Sequence, residues 1–143
     1  MIKIKLIFFF RSFFECDNTR HYNVFLDLHQ TEYVNSDRNT HVGLPTTYET
    51  LPETIQEQHR SLGEAIHRRW RQEGATPIDH PVITYKNNPT QRDFLARVWG
   101  PISERMVHII TEVQNNNTRT PVSMQVRLQL AAVLETMVWM GGE

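Results

Sequence analysis

Residues 118–142, TRTPVSMQVRLQLAAVLETMVWMGG, pose the problem that the rest of the chain has to solve. Thr120 precedes Pro121, an N-cap hydroxyl followed by a proline at the first helical position. Gly141 and Gly142 follow the last apolar residue, where a left-handed cap is free of strain. Nine of the eleven residues from Leu130 to Met140 are apolar, so the helix this predicts has no wide polar face. Such a helix has to be covered on more than one side, by its own domain or by another chain. Leu130, Leu134, Met137, Val138, Trp139 and Met140 are the candidate partner-binding residues, with the methionines giving the last turn an adaptable surface suited to a helix or groove.

Three further helices are expected upstream. In residues 101–114, PISERMVHIITEVQ, Ile102, Met106, Ile109, Ile110 and Val113 recur at i, i+4, i+7, i+8 and i+11, the pattern of a core-facing helix. Gly100 and Pro101 separate it from a helix over 90–99 whose buried side is Phe94, Leu95, Val98 and Trp99, unless the two are one helix kinked at that pair. Either Asn88 caps the 90–99 helix with Pro89 at its first position, or Thr90 caps it with Asp93 three residues on. Over 51–73, Thr50 and Glu53 have capping-box spacing, and Leu51, Ile55, Leu62, Ile66 and Trp70 make a narrow apolar stripe that ends at Gly74.

The start of the chain differs in composition. Residues 1–16, MIKIKLIFFFRSFFEC, hold five of the seven phenylalanines, and Ile2, Ile4 and Leu6 alternate with Lys3 and Lys5 in the period-2 pattern of an edge strand. A secretory signal is the rival reading, but Arg11 ends its apolar run at five residues, short of the roughly 7–15 that a signal needs. A leader foreign to the domain would also account for the change. Val24, Leu26 and Leu28 lie opposite Phe25 in a second strand, which would pair with the first through a turn at Asp17, Asn18 and Thr19, although Val24, Phe25 and Leu28 also suit a short helix. Residues 35–47 read as a polar connector, and 74–89 as a proline-containing linker with one short edge strand from Val82 to Tyr85.

Composition removes several function classes. A formal net charge of −1 argues against a wholesale polyanion binder. A single cysteine, Cys16, rules out an internal disulfide and favours a cytoplasmic or nuclear setting. No stretch approaches the roughly 20 apolar residues of a membrane span. None of the seven histidines has an i, i+4 histidine partner, so no metal site is expected, and there is no nucleophile elbow, phosphate loop or dinucleotide fingerprint. No cofactor, catalytic residue or small-molecule substrate is evident. Asp27 beside His29 is the first candidate if acid–base chemistry exists, because a carboxylate fixes a histidine's tautomer. The cations are mostly arginine, twelve against three lysines. Arg60, His67, Arg68, Arg69 and Arg71 form a candidate anion-binding group, with Arg119 and Arg127 as outlying members, although cations in the last turn of a helix also simply complement its dipole.

The expectation is a mainly α fold: a small helical bundle packed around the C-terminal helix, with a minor N-terminal strand or hairpin. Residues 1–16 are an atypical leader or edge strand, and 17–143 a single helical domain. The expected function is non-enzymatic protein interaction, with self-association through the last helix. The alternative is a nucleic-acid or anion-binding module using the arginine group. An apolar helix so close to the last residue also suggests a piece cut from a longer protein.

Overall fold

Residues 107–114, expected within a helix, run extended through the middle of a sheet instead. The computed structural model describes residues 6–9, 24–31, 37–115 and 118–142. Its strands are β1 (Leu6–Phe9), β2 (Val24–Thr31), β3 (Thr40–Leu44), β4 (Val82–Ile83) and β5 (Val107–Gln114), and its helices are α1 (Glu53–Gln72), α2 (Pro89–Ser103) and α3 (Val122–Gly141). The strand order is β1-β2-β5-β3-β4, with β2 parallel to β5, β3 antiparallel to β5, β3 parallel to β4 and β1 antiparallel to β2. This is helices on a mixed sheet, so the expectation of a mainly α bundle packed around the C-terminal helix is overturned. β5 is bonded along both edges, and β-branched Val107, Ile109 and Val113 suit that pleated position as well as they suit a helix stripe.

Alternation along the strands sorts the two faces. Val24, Leu26, Val42, Leu44, Val107, Ile109 and Val113 point to one side, where Leu62, Ile66 and Trp70 of α1 and Leu128, Ala131 and Ala132 of α3 close over them. The Trp70 indole N–H donates to the Leu128 carbonyl at 2.7 Å, tying the two helices together inside this core. On the other face Phe25 stacks on Trp99 of α2, with ring centroids 5.4 Å apart.

Several local expectations change. The supposed polar connector contains β3, whose Thr40, Val42 and Leu44 are all buried. Gly43 is required there, because a Cβ would come within 2.5 Å of the Thr84 hydroxyl oxygen. α2 runs through Gly100 and Pro101 to Ser103, and Asn88 caps it by accepting from the Gln91 N–H at 3.2 Å. Its Phe94 and Val98 are exposed rather than buried. The Thr50–Glu53 box does not form; Thr50 donates to the Thr47 carbonyl, and α1 begins after Pro52. Thr120 likewise donates to Gln114 instead of capping α3, and Gly142 ends α3 in the right-handed region. Gly74, after α1, is the left-handed glycine, at φ 84°. Residues 2–5, Cys16, the turn at 17–19 and residues 116 and 117 lie outside the described residues.

The apolar stripe of α1 has a member that its spacing implied but its chemistry hid. His59 sits between Ile55 and Leu62, fully buried, and its Nε2 accepts the backbone N–H of His108 at 2.9 Å while Nδ1 bonds the Ile55 carbonyl at 2.7 Å. Two turns on, His67 Nε2 accepts the N–H of Val42 at 3.0 Å. That amide lies between the points where Ile78 and Thr84 donate to the β3 carbonyls of Thr40 and Leu44, so the imidazole serves it where the edge pairing leaves a gap. Both rings must be neutral to accept, and burial favours that form. Burial, reinforced by nearby Arg71, pushes His67 down to about 3; burial also lowers His59, partly opposed by its bond to Ile55. Because the folded values lie below the unfolded one, the unfolded chain takes up the extra protons, and stability is lost as pH falls from about 6.5. The thermal midpoint is expected to drop between pH 7.5 and 5, with His67 contributing about 1.4 kcal/mol per pH unit below 6. His67→Gln, which keeps an acceptor and cannot titrate, should flatten that slope in a calorimetric pH series.

Candidate functional site

α3 is turned inside out relative to an ordinary surface helix. Three of its polar side chains face the domain: Gln125 accepts from Gln30 Nε2 at 2.9 Å and donates to the Thr120 carbonyl at 2.8 Å. Gln129 accepts from the Thr111 hydroxyl at 2.7 Å and donates to the His29 carbonyl at 2.8 Å. Thr136 is fully buried and donates to the Ala132 carbonyl. Small Ala131 and Ala132 let the helix lie close on the core. The branched aliphatics are left outside. Val122, Val126, Leu130, Leu134, Met137 and Val138 are 46–72% exposed, and all but Met137 follow at steps of four residues. A row of that kind winds obliquely over the helix surface, inclined by roughly 26° to its axis.

Four of the six candidate partner residues, Leu130, Leu134, Met137 and Val138, stand in this row. Trp139 and Met140 turn back against the core, and the Trp139 indole N–H donates to the Ser61 hydroxyl at 3.1 Å. Val122 and Val126 extend the row toward the helix start. The four-residue step from Leu130 was the signal that could have added them. α3 is thus enclosed on one side and open on the other. Among the described residues, no helix is long and apolar enough to cross a membrane.

The anion-binding group does not converge. His67 is buried and committed to Val42. Arg69 pairs with Glu73 at 2.9 Å, Arg60 lies 3.7 Å from Glu57, and Arg71 donates to the Asp79 carbonyl. Arg68 is exposed on the outer side of α1. The outlying Arg127 contacts Glu73 and Arg119 pairs with Asp37 at 2.9 Å. Among the described residues, carboxylates or carbonyls thus already hold all these arginines but Arg68, in solvent-accessible pairs of the kind worth little to stability.

The second face of the sheet gathers histidines and carboxylates. His29 Nε2 and Asp27 Oδ2 are 2.9 Å apart, so a donating Nε2–H leaves Nδ1 as the basic nitrogen. Glu112 is in register with His29 on one side and His41 on the other. Burial lowers His41 to about 4. It also lowers His108 to about 4 against the opposing pull of Asp27, and His108 Nδ1 contacts the Ser103 hydroxyl at 3.1 Å. A histidine held by a carboxylate is the minimal unit of acid–base chemistry, but it also needs a concave place for a substrate. The depression of about 500 Å³ bordered by Asp37, Glu73, Thr76, Arg119, Met124 and Arg127 includes neither Asp27 nor His29. Among the described residues, no three His, Cys, Asp or Glu side chains are placed to hold a metal ion.

The two sides of α3 should respond differently to truncation. Leu128→Ala, at a fully buried position, is expected to cost about 2–5 kcal/mol. Leu130→Ala, at a position 54% exposed, should cost under about 1 kcal/mol. Denaturant titrations of both variants check the contrast. Compared with known proteins, the chain matches no family model, no curated protein and no solved structure.

Proposed function

We propose that this chain is a non-enzymatic protein-interaction domain that docks its partner on the outer side of α3. The observation that carries the reading is the inverted helix: glutamines and a threonine bonded inward, six aliphatic or thioether side chains outward in one row. Domains seldom leave such a row to water, because contiguous apolar patches beyond a few hundred Å² mark interaction sites on folded proteins. Among the described residues, the core contacts of α3 come from its opposite side, so the apolar character of this side is not accounted for by that packing.

The reading is tested with a photo-reactive residue at Leu130, and with a control at Arg68 on the outer side of α1. Illumination in cells is expected to give a discrete protein adduct from position 130, abolished by Leu134→Asp, and none from position 68. Leu134 is 46% exposed, so the Asp variant should remain folded, as circular dichroism would show. Equal labelling from both positions, or none from 130, removes the reading.

A further inference from the structure

The outward row carries a symmetry that points to its occupant. Val126, Leu130, Leu134 and Val138 read valine, leucine, leucine, valine in either direction, centred at the level of Ala132. We infer that the partner is a second copy of this chain, its α3 crossing the first antiparallel about a two-fold axis at Ala132. This rests on the docking reading above and adds the identity and orientation of the partner.

An axis there sets Leu130 against the partner copy's Leu134, and Val126 against its Val138, so matched volumes meet at each level. Met137 comes opposite Arg127, whose aliphatic stem offers it an apolar surface while the charged end stays with Glu73. α3 carries two formal charges, exposed Arg127 and half-buried Glu135, and both are off the row, so the two copies' rows meet without like charges facing each other. Antiparallel helices also oppose their dipoles favourably. Rows at four-residue steps interdigitate at a crossing angle of roughly −50°.

The area decides the strength. The five exposed side chains from Val126 to Val138, each about half exposed or more, bury on the order of 500 Å² per copy, about 1,000 Å² in all, which is the lower bound for a specific interface. The expected dimer is therefore weak, in the micromolar range.

Cysteine pairing and sedimentation test this together. In a Cys16→Ser background, Val126→Cys and Val138→Cys are oxidised singly and as a mixture. The antiparallel axis brings 126 beside the partner copy's 138, whereas two copies of 126 stand about 18 Å apart along the helix. The mixture should cross-link at least about tenfold faster than either variant alone, since disulfides need Cα atoms within roughly 7 Å. Sedimentation of the native chain should show a concentration-dependent dimer that Leu130→Asp abolishes. Rapid self-linking of Val126→Cys would overturn the antiparallel axis. A monomer at about 1 mM, far above a micromolar dissociation constant, would overturn self-pairing. A position-130 adduct to a different protein would then leave the docking reading standing, while a monomer with no adduct would remove both.

Discussion

Strand β5 is the constraint that everything else obeys. It is hydrogen-bonded to β2 along one edge and β3 along the other, one parallel and one antiparallel, so neither neighbour can shift without unpairing it. Its Val107, Ile109 and Val113 then fix which side must be roofed, and α1 and α3 together form that roof. The roof is attached by directional bonds as well as by burial. His59 and His67 accept backbone amides from β5 and β3, and Gln129 reaches the hydroxyl of Thr111 and the carbonyl of His29. Burial alone would let a helix slide on a sheet; these bonds define where it stops.

The inward glutamines and the outward aliphatics are two results of the same requirement. β2 and β5 offer α3 the polar side chains of Gln30 and Thr111, and the turn before α3 offers the Thr120 carbonyl, and burying unmet polar groups against an aliphatic helix would be costly. α3 therefore turns Gln125, Gln129 and Thr136 toward the domain. Small Ala131 and Ala132 fit the remaining space, and the larger residues of the helix are left on the far side.

How much of this could be read from residue order varies with the element. α1 was legible nearly end to end, because Leu51, Ile55, Leu62, Ile66 and Trp70 repeat at helical spacing and all but Ile55 are buried. His67 was read for charge and His59 only for metal-ligand spacing, and their place in the packing was missed. β5 was misread because Ile109 and Ile110 are adjacent, which satisfies both a helix stripe and a strand buried on one side and half-buried on the other. Its pairing partners lie about 80 residues back in β2 and 70 in β3, and local periodicity carries no information about them. For α3, composition showed that something apolar would be left over. Which residues, and facing which way, depended on where the sheet placed its polar groups.

The brevity of β4 has a consequence for assembly. Only Val82 and Ile83 pair with β3, and Tyr85 then leaves at φ 55°, so the outermost strand exposes very few backbone amides in a row. A passing extended segment finds too short a template there to add itself to the sheet. Strand-swapped and fibrillar routes to aggregation are blunted on that border, and copies that meet at high concentration are steered toward contacts between side chains.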